Sequence, residues 1–175
     1  MKLILTILIS ILLTSCQGNK MKPIDFKDQK PRLIIEDYLS GNVKAWGILQ
    51  NRSGKVTRQF SAELNGKWDG KQLILDEKFN WSDGEIQMRQ WKISKIDEHN
   101  YEGTAGDVVG VAKGYSYGPA FKFEYVLLVP VKGKQMKITF DDWIFKQDEK
   151  VAINRATMTK FGIKVAELTV MFVKN

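Results

Sequence analysis

Along most of the chain, apolar and polar positions alternate with a period of two, the pattern of strands that bury one face. Val43, Ala45, Gly47 and Leu49 alternate with Lys44, Trp46, Ile48 and Gln50. Further strand-like runs occupy 56–67, 72–81, 85–96, 121–131, 136–146, 151–159 and 165–173. Turn chemistry separates them: Arg52-Ser53-Gly54, Asp69-Gly70, Ser82-Asp83-Gly84, Lys132-Gly133-Lys134, residues 147–149 and Gly162. Asp-Gly favours the positive φ of tight hairpins, and Asn65-Gly66 predicts a bulge or an early turn. Glycine recurs at 103, 106, 110, 114 and 118, which in strand-like sequence predicts sharp bends or close backbone approach. That spacing fits neither a dinucleotide-binding nor a P-loop pattern. The helical signal lies at 31–40, where Leu33, Ile34 and Leu39 form an apolar stripe between Pro31 and Gly41. About nine or ten strands in series predict an all-β fold, an antiparallel up-and-down β-barrel with a short N-terminal helix. Closure is expected because it removes exposed strand edges.

The first sixteen residues break this pattern. Lys2 precedes a run over 3–13 that is apolar apart from Thr6 and Ser10. It is too short to cross ~30 Å of hydrocarbon as a helix and has the dimensions of an export signal. The run ends in Leu13-Thr14-Ser15-Cys16, which resembles the lipobox of bacterial lipoproteins: an aliphatic residue, two small residues, then cysteine. In that motif the thiol receives a diacylglyceryl group, and cleavage before the cysteine frees an amine that is acylated in turn. Cys16 is the single cysteine of the chain, so an internal disulfide framework is excluded and a lipid thioether accounts for the unpaired thiol. The expected organisation is a signal peptide over 1–15, a lipidated polar tether over 16–30 and one barrel domain over 31–175. Two or three acyl chains at ~0.8 kcal/mol per buried CH₂ give lasting membrane attachment. Gln17 is not the aspartate of an inner-membrane retention signal, so the expected location is the outer membrane, facing the periplasm.

Composition narrows the chemistry. The 175 residues are 43% hydrophobic, which suffices for a core. Lysine and arginine number 27 against 20 acidic residues, but the lysines are scattered through turns, and nucleic acid is not an expected partner. Attraction to anionic lipid, at ~1 kcal/mol per well-placed cation, is one use for the excess charge. One histidine and one cysteine exclude His-rich and Cys-cluster metal centres, and no cofactor is expected.

Several short segments occur in a set order: Ala45-Trp46-Gly47, Asp76-Glu77-Lys78-Phe79, Asp83-Gly84-Glu85, Gly103-Thr104-Ala105-Gly106-Asp107, Asp141-Asp142-Trp143, Asn154-Arg155-Ala156 and Lys160-Phe161-Gly162. In combination they resemble a family of proteobacterial lipoproteins known only as domain of unknown function 3833. The resemblance covers nearly the whole mature chain and implies an envelope lipoprotein without an assigned activity. The expected architecture is similar to that of calycins and lipocalins, although the lipocalin Gly-x-Trp signature is absent: Gly41 and Trp46 are five residues apart.

No catalytic residue is assigned. Asp141 and Asp142 are strand neighbours and point to opposite faces, so they cannot share a proton or converge on a metal without a bulge. His99 sits in the polar turn Asp97-Glu98-His99-Asn100, and no Gly-x-Ser-x-Gly elbow occurs. Hydrolysis by two carboxylates depends on their separation in space. A small closed barrel either fills its interior with side chains or holds one apolar ligand. The residues expected to line such a site are Arg89, Trp91, Tyr115, Tyr117, Asp142, Trp143 and Arg155. Arg89 and Arg155 are candidates for an anionic head group, with Asp142 as the carboxylate an interior arginine would need. Three functions follow as expectations: binding of a lipid or other apolar small molecule; docking of an unknown envelope protein on the outer wall or rim; and, behind these, an undetected hydrolase with convergent ionisable side chains in a cleft.

Overall fold

The computed structural model describes residues 20–131 and 133–175. Cys16 and the segment 1–15 expected to be a signal peptide lie outside these. Ten antiparallel strands form a closed barrel, each paired with its sequence neighbours and β1 paired with β10. The strands are β1 (Gly41–Asn51), β2 (Val56–Trp68), β3 (Gln72–Trp81), β4 (Ile86–Lys95) and β5 (Asn100–Thr104). The second half is β6 (Ala112–Tyr117), β7 (Ala120–Val131), β8 (Lys134–Lys146), β9 (Val151–Lys160) and β10 (Ile163–Lys174). The up-and-down barrel read from the alternation is therefore the observed fold. Among the described residues no helix is long and apolar enough to cross a membrane.

The helix is shorter than its stripe suggests. Helix α1 spans Ile35–Leu39, while Pro31 to Ile34 run extended ahead of it. The extended stretch is held because Leu33 N–H donates to the Gly118 carbonyl at 2.8 Å and the Leu33 side chain is fully buried. α1 plugs the barrel end where β1 begins and β10 finishes. Ile35 and Leu39 point into the core, and Glu36 is buried between Lys95 Nζ and the Tyr101 hydroxyl, which donates at 2.9 Å. The ordinary solvation of a carboxylate is lost there, yet the bonds from Lys95 and Tyr101 hold Glu36 below its usual pKa. Asn65-Gly66 makes neither a bulge nor a turn but continues β2. Gly66 is needed for close approach, since a Cβ there would collide with the Leu39 carbonyl.

The tether is also corrected in part. A 3₁₀ turn at Pro23–Phe26 lies against the outer wall at β6 and β7. Phe26 packs on Trp143 and Phe145, with ring centroids 6.0 and 5.5 Å apart. Part of the segment expected to be a polar tether is thus docked on the barrel wall, because its one aromatic side chain finds an aromatic pair on β8.

Inside the barrel, Phe121, Phe123, Tyr125 and Leu127 of β7 face Trp91 and Ile93 of β4 and Phe140 and Ile144 of β8. The glycines of β5 and β6 make room for them: Gly103 lies against the Phe123 ring and Gly114 against Phe121. Most of the interior is filled in this way. The end opposite α1 is the mouth, formed by the five turns that follow odd-numbered strands.

Candidate functional site

β3 carries the decisive departure from an apolar interior. Its inward positions read Leu73, Leu75, Glu77, Phe79 and Trp81, so strict alternation sends one carboxylate into the core. Glu77 is 8% exposed. Directly across the β3–β4 ladder stands Arg89, whose Nη1 lies 3.9 Å from Glu77 Oε2. Arg89 is committed elsewhere: its Nη2 and Nε donate to Asp107 Oδ2 at 2.7 and 3.1 Å. Asp107 belongs to the turn after β5, which folds back on β7 through Leu128 N–H donating to the Asp107 carbonyl at 2.8 Å. Burial opposes the charge of Arg89, but Glu77 and Asp107 secure it.

β8 supplies the second interior acid. Asp142 points inward and Asp141 outward, as neighbours on a strand must. Both Asp142 oxygens are engaged: the Tyr125 hydroxyl donates to Oδ2 at 2.8 Å and the Asn154 amide donates to Oδ1. Burial still pushes Asp142 above the usual carboxylate range, and it pushes the Tyr125 hydroxyl well above its own. Glu77 differs in that its Oε2 is buried without a hydrogen-bond partner. Burial raises its pKa to about 7 against the pull of Arg89, and the nearby charges of Asp142 and Asp107 add to the rise.

Glu77, Arg89, Tyr125, Asp142 and Asn154 converge on a cavity of about 100 Å³. Its walls are otherwise apolar: Ile35 and Leu39 from α1, Ala45, Ala62, Leu75, Trp91, Leu168, Val170 and Phe172, with Phe60 and Phe79 on the mouth side. Phe60 packs edge-on against Phe79 and tilted against Trp81, at centroid distances of 5.2 and 4.9 Å. Above them Arg58 lies 4.0 Å over the Trp81 ring and pairs with Asp83 and Glu85 at 2.7 Å each. Among the described residues no group of three or more His, Cys, Asp or Glu side chains is arranged to hold a metal ion.

Of the residues singled out from sequence, Arg89, Trp91 and Asp142 meet at this cavity. The other four do not. Tyr115 and Tyr117 alternate with the inward Gly114 and Ser116 and so face out, Tyr117 stacking on His99 at 4.1 Å. Trp143 faces out with Asp141, to which its indole N–H donates at 2.8 Å. Arg155 is on the outer wall, paired with Glu167 at 3.0 Å. The expected interior arginine–Asp142 pair is replaced by Arg89–Asp107, because the turn after β5 brings its own acid to the guanidinium. Glu77 and Asp107 were not singled out. The parity of β3 marks Glu77 as inward, whereas no periodicity in the turn marks Asp107.

The profile of a family described as "Protein of unknown function (DUF3833)" matches residues 10–174. No curated protein matches the sequence. Among solved structures, an S-type phycobiliprotein lyase from Guillardia theta is similar with a TM-score of 0.57 at 8% identity, over 80% of this chain and 90% of that one. A protein of unknown function from the DUF3598 family of Nostoc punctiforme is similar with a TM-score of 0.62 at 14% identity. That match covers 84% of this chain and 51% of the other, so the chain spans about half of that relative's length. At such identities the likeness is one of fold.

Proposed function

The chain belongs to the DUF3833 family, and we propose that this member is an envelope lipoprotein, held at the outer membrane through Cys16 and facing the periplasm, whose barrel binds an apolar or lipidic small molecule. The observation that carries the reading is the cavity itself, an apolar space of about 100 Å³ with a few converging polar groups at mid-barrel. That is the usual composition of a small-molecule site. Its volume is below the ~150 Å³ that admits benzene in a dry protein cavity. A larger ligand therefore requires Phe60 and Phe79 to swing toward the mouth.

The mouth supports the membrane part of the reading. Its turns and flanking strand ends expose Val56, Ile86, Met88, Val131 and Ile163, with Phe161 at 92% exposure on the turn between β9 and β10. Arg52, Lys55, Lys134, Lys160 and Lys164 stand among them. Apolar tips set in basic residues suit the surface of an anionic bilayer, from which an apolar ligand would enter. A second reading, docking of a protein on the outer wall, is favoured by one feature. Trp46, Met171 and Ile153 form a cross-strand row on β1, β10 and β9, each more than two-fifths exposed.

Fluorescence titration of the full chain with N-phenyl-1-naphthylamine tests the first reading. Saturable enhancement is expected in the wild type. It should weaken in Ala45→Leu, which fills the cavity from β1. Equal binding by both chains would remove the interior as the site.

A further inference from the structure

We infer that the ligand presents a hydrogen-bond donor, foremost an ammonium group on an apolar chain, to the Glu77 carboxylate, and not an anionic head to Arg89. The inference rests on the reading above that the barrel interior holds an apolar ligand, and it names that ligand's polar end.

Three observations carry it. First, Glu77 is more than nine-tenths buried, lines the cavity, and leaves Oε2 without a hydrogen-bond donor. A buried acceptor left unpaired costs about 1–3 kcal/mol, more when charged, so a group that completes it gains that much on entering. Second, Asp142, the other carboxylate lining the cavity, is already used, as are Nε and Nη2 of Arg89; the unpaired Asp107 Oδ1 belongs to the turn after β5, outside the cavity lining. Asp142 takes the Tyr125 hydroxyl and the Asn154 amide, and Arg89 is spent on Asp107. Third, the charge around the cavity is unbalanced toward the acidic side. Glu77, Asp142 and Asp107 stand against the single guanidinium of Arg89. An anion would meet the carboxylates of Glu77 and Asp142 beside an arginine paired with Asp107, while an ammonium would meet an open oxygen in a low-dielectric site. The apolar chain behind the donor would lie toward Phe60 and Leu168.

The chemistry separates the possibilities with three probes of equal chain length: octylamine, octanol and octanoate, titrated into the full chain at mildly alkaline pH. The amine is expected to bind tightest, about tenfold or more ahead of octanoate. Glu77→Gln should bring octylamine to within about threefold of octanol, with a circular-dichroism spectrum matching the wild type as the control for an intact barrel. Octanoate binding as well as octylamine, octylamine binding no tighter than octanol, or an amine preference that survives Glu77→Gln would each overturn the inference and leave the apolar-ligand reading standing. Failure of all three probes, octanol included, would overturn both.

Discussion

A buried carboxylate with no donor on one oxygen should destabilise the empty barrel, and the effect should carry a definite pH signature. Glu77 binds its proton in the fold with a pKa of about 7, against 4.5 for an ordinary glutamate. Between those values the folded state holds a proton that the unfolded chain has lost, so stability falls as pH rises through this window. At 1.36 kcal/mol per pH unit, the loss above the window is on the order of 3 kcal/mol. Glu77→Gln keeps the shape and cannot ionise. The variant and the wild type should therefore share one offset in stability at acid pH and diverge as pH rises, the variant gaining on the order of 3 kcal/mol by mildly alkaline conditions. Urea unfolding across a pH series reads this directly. With a slope of about 1–3 kcal/mol per molar urea, the variant's midpoint should gain roughly 1–3 M relative to wild type over the window. A stability difference that stayed constant with pH, or that grew on acidification, would refute the reasoning, because either result means that Glu77 is ionised in the fold without penalty.

Glu36 should show the opposite sign. Its pKa is lowered by Lys95 and Tyr101, so its contribution is present above the ordinary carboxylate pKa and lost as pH falls through the lowered value. Glu36→Gln should cost about 1–3 kcal/mol at neutral pH, measured by urea unfolding, with the deficit shrinking in acid. Gly66→Ala should displace α1 from the barrel end, read as accelerated amide exchange at residues 35–39 while the β7–β8 ladder stays protected. Phe60→Ala should destabilise the barrel by about 3–5 kcal/mol and widen the path from mouth to cavity, so that N-phenyl-1-naphthylamine binds faster. Cys16→Ser should abolish incorporation of labelled fatty acid and release the protein from the membrane fraction.

How far the sequence discloses these features follows from periodicity. Wherever one face is buried and the other wet, alternation sets the facing: it separates Asp142 from Asp141 and puts Glu77 in line with Leu75 and Phe79. It misleads where both faces are covered. Trp143 is 6% exposed yet points outward, because Phe26 and Phe145 cover it from outside. Tyr115 and Tyr117 carry the same ambiguity, alternating with a glycine and a serine that give no apolar signal of their own. The partner of Arg89 was out of reach for another reason. Asp107 reaches the guanidinium through a turn whose fold depends on hydrogen bonds to β7, and strand parity says nothing about turns. The limits of α1 were hidden likewise, since Leu33 is buried by the barrel end and not by a helical face.

Native mass spectrometry of the protein purified from its own host tests most directly whether this barrel holds a ligand. The expected spectrum shows the polypeptide with its covalent lipid plus one non-covalent apolar molecule, released on mild activation and diminished in Ala45→Leu. A spectrum containing the acylated polypeptide alone, for wild type and variant alike, would contradict the account.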